Sequence, residues 1–222
     1  MSIYLFYHIC CTDAAFAIVK DQITKIIFSG LYDKVTKIYC GLVGINPYIL
    51  NDISRMLEQH GKKFAILAYG LHDKTFERFT MTKIKALVQP ADKILYIHSK
   101  GVTHTDSVAR LSIASWRTMM EYFLIARHEQ CLADLDTHDA VGIMWHGTPQ
   151  AQFKGVKYMH FSGNFWWTTG AYYRSLPEKI GDEYWDPEMY IGKGNPKIKC
   201  YYDPSGFNPY RDTVQMRQYS DT

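Results

Sequence analysis

The sequence of 222 residues contains no uncharged apolar run of the roughly 18 residues that a membrane span requires, so no span is expected. It contains no CxxC pair. Its cysteines, Cys10, Cys11, Cys40, Cys131 and Cys200, are odd in number and irregularly spaced, which excludes a zinc ribbon and a disulfide framework and points to a reducing, cytoplasmic compartment. No charge sign dominates either. Lys plus Arg total 25 against 22 for Asp plus Glu, a net charge of +3 with no basic tail, so the clustered phosphate neutralisation of a nucleic-acid partner is not expected. The apolar start from Ile3 to Val19 lacks a basic leader and is broken by His8, Thr12 and Asp13, which argues against a secretory signal. Repeats and low-complexity tracts are missing. So are GxGxxG and GxxxxGK[ST], which removes the common dinucleotide fingerprint and the P-loop.

What is present is a globular composition, 47% hydrophobic and 21% charged, in a chain long enough to bury roughly 70% of its extended surface as one domain. The run Ile3 to Ile9 reads as a buried strand. Thr12 or Asp13 then caps a helix with Phe16, Val19, Ile23, Ile26 and Ile27 inward, ended by Gly30. The pattern repeats: strand Lys37 to Val43, helix from Asn46-Pro47 to Gly61, strand Phe64 to Ala68, a helix capped by Asp73, and strand Ile94 to Ile97. A long helix from about Val108 to Leu135 precedes a strand from Ala140 to Trp145. Strands apolar on both faces, alternating with amphipathic helices, predict an α/β fold with a mainly parallel sheet flanked by helices on both faces. From His146 the alternation gives way to Gly, Trp and Tyr clusters punctuated by prolines. The expected division is a regularly alternating half of about residues 1–145, a loop-built half of about 146–203 that looks like a site, and a loose tail or docking arm over 204–222.

In an open parallel sheet, ligands bind beyond the carboxyl ends of the strands. There the sequence offers Tyr7-His8 after the first strand and His98-Ser99-Lys100-Gly101 after the fourth. A lysine, a hydroxyl and an imidazole on a glycine turn make a plausible grip for a diphosphate. The other reading is a solvated Lys100 with His98 satisfied in the core.

The order of Tyr96-Ile97-His98-Ser99-Lys100-Gly101, Ser115-Trp116-Arg117, Asp139-Ala140-Val141-Gly142 and His160-Phe161-Ser162-Gly163-Asn164-Phe165-Trp166-Trp167 resembles a group of GT-A-like nucleotide-sugar glycosyltransferases. That group occurs in bacterial surface-polysaccharide clusters and in large algal (chlorella) viruses, where it glycosylates the major capsid protein. The likeness covers about residues 1 to 200. It implies a single Rossmann-like GT-A domain whose half of about 1–145 binds the nucleotide and whose half of about 146–203 forms the sugar and acceptor site. It also implies a nucleoside diphosphate sugar donor with UDP favoured, and a glycan acceptor; for a viral chain the location is the host cytoplasm. It also implies that Tyr7 and His8 lie near the nucleotide base. Most GT-A enzymes hold a divalent cation with Asp-x-Asp where this chain has His98-Ser99-Lys100, so a role for Mn²⁺ or Mg²⁺ stays open. The literal Asp134-Leu135-Asp136 falls at a helix end and reads as solvated surface.

Sugar transfer builds negative charge on the departing diphosphate. Lys100 is the first candidate to stabilise it and Arg117 the second, with a structural ion pair as the alternative for Arg117. An inverting enzyme, slightly favoured here, needs a carboxylate base. The acidic and aromatic cluster Asp182 to Ile191 supplies Glu188, with Asp186 next, and the resemblance favours Glu188. His160, Ser162, Gly163, Asn164, Trp166 and Trp167 form the expected sugar or acceptor wall. Adjacent tryptophans cannot share one face of a strand, so one of Trp166 and Trp167 is expected in the core. The alternatives to transfer are a non-catalytic carbohydrate-binding module and a sugar nucleotidyltransferase. The chain may also be read as one module of a longer enzyme.

Overall fold

The computed structural model describes residues 1–70, 76–103, 106–146, 158–204 and 206–220. Strand β1 (Ile3–Cys10) is the first apolar run, and its side chains alternate, Leu5, Tyr7 and Ile9 into one core layer and Phe6 into the other. Helix α1 (Ala15–Phe28) buries Val19, Ile23 and Ile26, whereas Phe16, expected inward, is 46% exposed. Neither Thr12 nor Asp13 caps it. Ala14 occupies that position without a side-chain bond, because the Thr12 hydroxyl is drawn to Val102 O across the cleft floor at 3.2 Å. The chain turns at Gly30 through α2 (Leu31–Lys34) into β2 (Lys37–Val43). Asn46 caps α3 (Pro47–Gln59) by accepting Tyr48 N–H, as its Asn-Pro start predicts, and β3 (Phe64–Gly70) follows.

Helix α4 (Arg78–Leu87) has Glu77 at its N-cap, and the expected cap Asp73 lies outside the described residues. After β4 (Lys93–His98), the long helix expected over 108–135 is interrupted: α5 (Ser107–Glu121) passes through a π turn at Tyr122–Ala126 before α6 (His128–Asp134). The interruption frees the Leu124 carbonyl, which accepts the Trp167 indole N–H at 2.8 Å. The expected strand 140–145 is likewise divided. Met144 adopts φ +54°, so β5 (Ala140–Gly142) stays in the main sheet while β6 (Trp145–His146) pairs with β7 (His160–Phe161) in a small ribbon. Then come β8 (Trp166–Thr169), α7 (Gly170–Ser175), α8 (Asp186–Met189) and β9 (Ile198–Cys200).

Among the described residues the main sheet has seven strands in the order β3-β2-β1-β4-β8-β5-β9, of which only β8 runs antiparallel to its neighbours. The α/β fold with a mainly parallel, helix-flanked sheet is therefore as expected. The strand order reverses between β1 and β4, where His8 pairs in register with His98. That switch point opens a crevice at the carboxyl ends of both strands. The core lies in two layers, one against α1, α3, α5 and the π turn, the other against α4 and α7. Trp166 belongs to the second layer and Trp167 to the first, the consequence of adjacent positions on one strand.

Of the two readings of the last stretch, loose tail or docking arm, residues 206–220 take the second. Val214 exchanges two hydrogen bonds with Ser115 Oγ, Tyr122 OH donates to Ser220 O, and Tyr219 is buried against Phe123 and Tyr202. An aromatic-rich segment gains more by covering the apolar face of α5 than by solvation. All five cysteines are free. Among the described residues no helix is long and apolar enough to cross a membrane.

Candidate active site

A cleft of about 320 Å³ opens at the switch point between β1 and β4. His8 and Cys10 from β1 and the turn His98 to Gly101 form its floor; Glu77, Gly163, Asn164 and Glu188 face them, and Tyr184, Trp185, Phe76 and Tyr210 surround its mouth. Lys100 is thus not a solvated surface lysine. Its ammonium lies 3.8 Å from the centre of the Trp116 ring, a cation–π contact worth about 1–2 kcal/mol when desolvated. Burial pushes its proton affinity down, while the charges of Glu188 and Glu77 push it back up.

The turn that carries Lys100 is built from below. Gly101 adopts φ +100°, a conformation open to glycine, and a side chain there would crowd Ile113 and Arg117. Arg117 Nη1 donates to Lys100 O at 2.9 Å, and its Nε lies 3.4 Å from Glu121, which itself pairs with Lys25 at 2.6 Å. Arg117 therefore takes the structural alternative: it supports the backbone of Lys100 from outside the cleft lining. Ser99 Oγ accepts Cys10 N–H at 2.9 Å, which ties the ends of β1 and β4 and leaves its own proton available.

His98 is neutral. Burial, reinforced by Lys100, holds its proton affinity well below the usual imidazole value, and the ring donates from Nε2 to Gly163 O at 2.9 Å. His8 is fixed through Nδ1 by Thr80 Oγ1 at 2.9 Å. Tyr7, expected near a nucleotide base, is instead fully buried and bonded to Gln22, because the alternation of β1 sends it into the core layer beneath the sheet.

Across the cleft, Phe161 to Asn164 make a turn closed by Asn164 N–H to Phe161 O, with Gly163 at φ +89°, as the third residue of a type II turn demands. Gly163 N–H donates to Glu188 Oε1 at 2.7 Å. Ser162 and Asn164 do not share one face of an extended segment, because the turn separates them. Asn164 is committed at both ends: Oδ1 accepts the Trp166 indole N–H, and Nδ2 donates to Glu77. Trp166 and Trp167 are both fully buried, so neither lines the cleft; Trp166 stacks between Tyr96 and Tyr173. His160 bonds to Tyr158 O outside the lining, and Ser162 is likewise buried away from it. Asp186 points the other way, accepting Glu183 N–H beside Gly181 with Lys193 3.7 Å distant, which makes it a local turn former. At the far end of the fold, Asp134 accepts Tyr201 OH and Asp136 pairs with Lys93, so that Asp-x-Asp is structural.

Glu77 is the residue that sequence reading missed. Its carboxyl sits among Asn164, Tyr96 and His98, and burial together with the nearby Glu188 raises its proton affinity from the ordinary 4.5 to about 7. The signal was available, for Glu77 follows β3 in sequence and the carboxyl end of β3 lies on the same edge of the parallel sheet as those of β1 and β4.

The matching family model spans residues 6–180. The chain belongs to the family described as Domain of unknown function (DUF8361). No curated protein sequence matches it. Among solved structures, this DUF8361 chain is similar to the galactosyltransferase LgtC in complex with donor and acceptor sugar analogues, at 13% identity over 92% of this chain and 74% of that one, with a TM-score of 0.49. It is also similar to a putative nucleotide-diphospho-sugar transferase from Desulfovibrio desulfuricans G20, at 10% identity over 91% and 81% with a TM-score of 0.45. A third is 4-diphosphocytidyl-2C-methyl-D-erythritol synthase from Anaerococcus prevotii DSM 20548, at 12% identity over 97% and 94% with a TM-score of 0.43.

Among the described residues the DUF8361 cleft shows no cation site built by protein ligands. Its two carboxylates share the space with the Lys100 ammonium, and among the described residues no group of three or more His, Cys, Asp or Glu side chains converges.

Proposed function

We propose that this protein is a glycosyltransferase that moves a sugar from a nucleoside diphosphate sugar, UDP favoured, to a hydroxyl of a glycan acceptor. The observation that supports the reading most directly is Lys100, held on a braced glycine turn at the sheet's switch point in one cleft with two carboxyl groups. A mobile point charge there suits phosphate oxygens, and Ser99 O–H, with its oxygen already fixed by Cys10 N–H, adds a donor.

In the proposed reaction the acceptor oxygen attacks the anomeric carbon, the bond from that carbon to the diphosphate oxygen breaks, and the electron pair leaves with the diphosphate. Lys100 stabilises the charge that accumulates on the leaving group. The acceptor's proton passes to a carboxylate of the cleft, Glu188, to which the sequence pointed, or Glu77. This is the chemistry of inversion, with a single displacement at the anomeric carbon. A carbohydrate-binding module is less well served by this geometry, because the paired indoles that would grip a glycan are core residues.

Calorimetry with a panel of nucleoside diphosphates and their sugar conjugates, each with and without Mn²⁺, tests the reading. Saturable binding is expected, together with a loss of about 10²-fold or more in transfer for Lys100→Ala. No saturable binding by the wild-type protein, or near-normal transfer by Lys100→Ala, overturns it.

A further inference from the structure

The reading above leaves two carboxyl groups facing one lysine, and their surroundings differ. Glu188 Oε1 holds the Gly163 N–H at 2.7 Å, so this carboxylate is committed to the turn that also carries Asn164 and receives the His98 ring proton. Glu77 is presented differently. The residue before it, Phe76, adopts φ +48°, which a bulky side chain rarely tolerates, and that backbone starts α4 with Glu77 directed into the cleft. Its Oε2 is fixed by the Asn164 amide and lies 3.5 Å from Tyr96 OH. Oε1 lies 3.5 Å from His98 Nε2, whose proton is directed to Gly163 O instead. Each carboxyl thus has one anchored oxygen, but Glu188 holds a backbone turn. Glu77 is held by a side-chain amide and presents Oε1 beside a ring that directs its own proton elsewhere, so that Oε1 is placed to take a proton.

Resting on the transferase reading, we propose that Glu77 is the base that accepts the acceptor's proton and that Glu188 is a positioning residue that holds the Gly163 turn. The charged and titratable groups facing Glu77 are Glu188 from α8, Tyr184 before it, and Tyr96, His98 and Lys100 from β4 and its turn. Neutral His98 contributes no charge, Lys100 favours the carboxylate, and burial with Glu188 favours the acid. The balance near neutrality is what efficient proton transfer at physiological pH requires. Asn164, bonded to both Glu77 and Trp166, links the base to the core and fixes its position.

The test is the pH profile of transfer for wild type, Glu77→Gln, Glu77→Asp and Glu188→Gln, with donor affinity measured alongside. The wild-type rate is expected to rise with pH through about 7 and level off. Glu77→Gln should lose about 10²-fold or more while binding donor within about threefold of wild type; Glu77→Asp should recover part of the rate. Glu188→Gln should keep the rise but move it to lower pH, because a neighbouring charge that favours the acid form of Glu77 is gone, and reach a lower plateau. A Glu77→Gln variant within about threefold of the wild-type rate, or a rise that disappears in Glu188→Gln and persists in Glu77→Gln, overturns the assignment. Absence of donor binding by wild type would refute the transferase reading separately. The proton site stays testable in that case, since an infrared carboxyl band titrating near neutrality should be present in wild type and missing in Glu77→Gln, and no such band would refute it.

Discussion

Replacing Glu77 by Gln should make the protein more stable in mild alkali, by an amount that follows from where the side chain lies. In the folded chain the carboxyl holds its proton up to about 7, against an ordinary value of 4.5, because burial and Glu188 oppose its ionisation. Below 4.5 the group is protonated in both folded and unfolded chains and has no effect. As pH rises through the interval up to about 7, the unfolded chain ionises first, and stability is lost until the folded carboxyl has ionised too. Each factor of ten in proton affinity is worth about 1.36 kcal/mol, so the full loss is roughly 3 kcal/mol. Gln fills nearly the same volume and carries no charge to bury. The melting temperature of Glu77→Gln relative to wild type should therefore climb between pH 4.5 and pH 8 by roughly 6–12 °C, at about 2–4 °C per kcal/mol for a domain of this size. Any constant cost of exchanging the carboxyl for an amide shifts the whole difference curve but leaves its slope intact. Fluorescence-monitored melting of both proteins across this range measures it, and a difference that is flat or falls with pH would show that Glu77 does not carry a buried, destabilising charge.

Two packing predictions complete the set. Gly163→Ala places a methyl 2.7 Å from Met120 Sδ and 2.8 Å from Trp116 in a backbone at φ +89°, so it should destabilise by about 1–3 kcal/mol and disturb the ring beneath Lys100; an unchanged denaturation midpoint would refute the close approach. Tyr219→Ala should cost about 3 kcal/mol and expose the chain after Pro204 to limited proteolysis, whereas a wild-type midpoint and cleavage pattern would mean that this segment does not anchor on the π turn through Tyr219.

Much of the scaffold was legible because it rests on local signals. Alternating apolar runs gave β1, β2 and β4 close to their final limits, and Asn46-Pro47 marked the start of α3. His98, Ser99 and Lys100 could be placed at the rim of the sheet because a strand in a parallel sheet must end there. The failures have physical causes as well. Thr12 is a good cap in isolation, yet its hydroxyl found a stronger claim on Val102 O, 90 residues away in sequence. Alternation put one of Trp166 and Trp167 in the core and the other on the sugar wall, and no local pattern could reveal that β8 inserts between β4 and β5 and buries both faces. Composition left the last stretch open between a loose tail and a docking arm, and the ring contacts of Tyr210 and Tyr219 decided for docking.

Periodicity and turn chemistry, both short-range properties of the chain, settled the layered architecture and the lysine turn at its rim. Tertiary packing alone decided that Glu77 meets Glu188 and Lys100 in one cleft, that Arg117 braces the turn from beneath, and that the indoles face inward. Such juxtapositions join residues from about 20 to more than 100 positions apart, and the proton affinity of a carboxyl is set by whatever the folded chain places around it rather than by its neighbours in sequence.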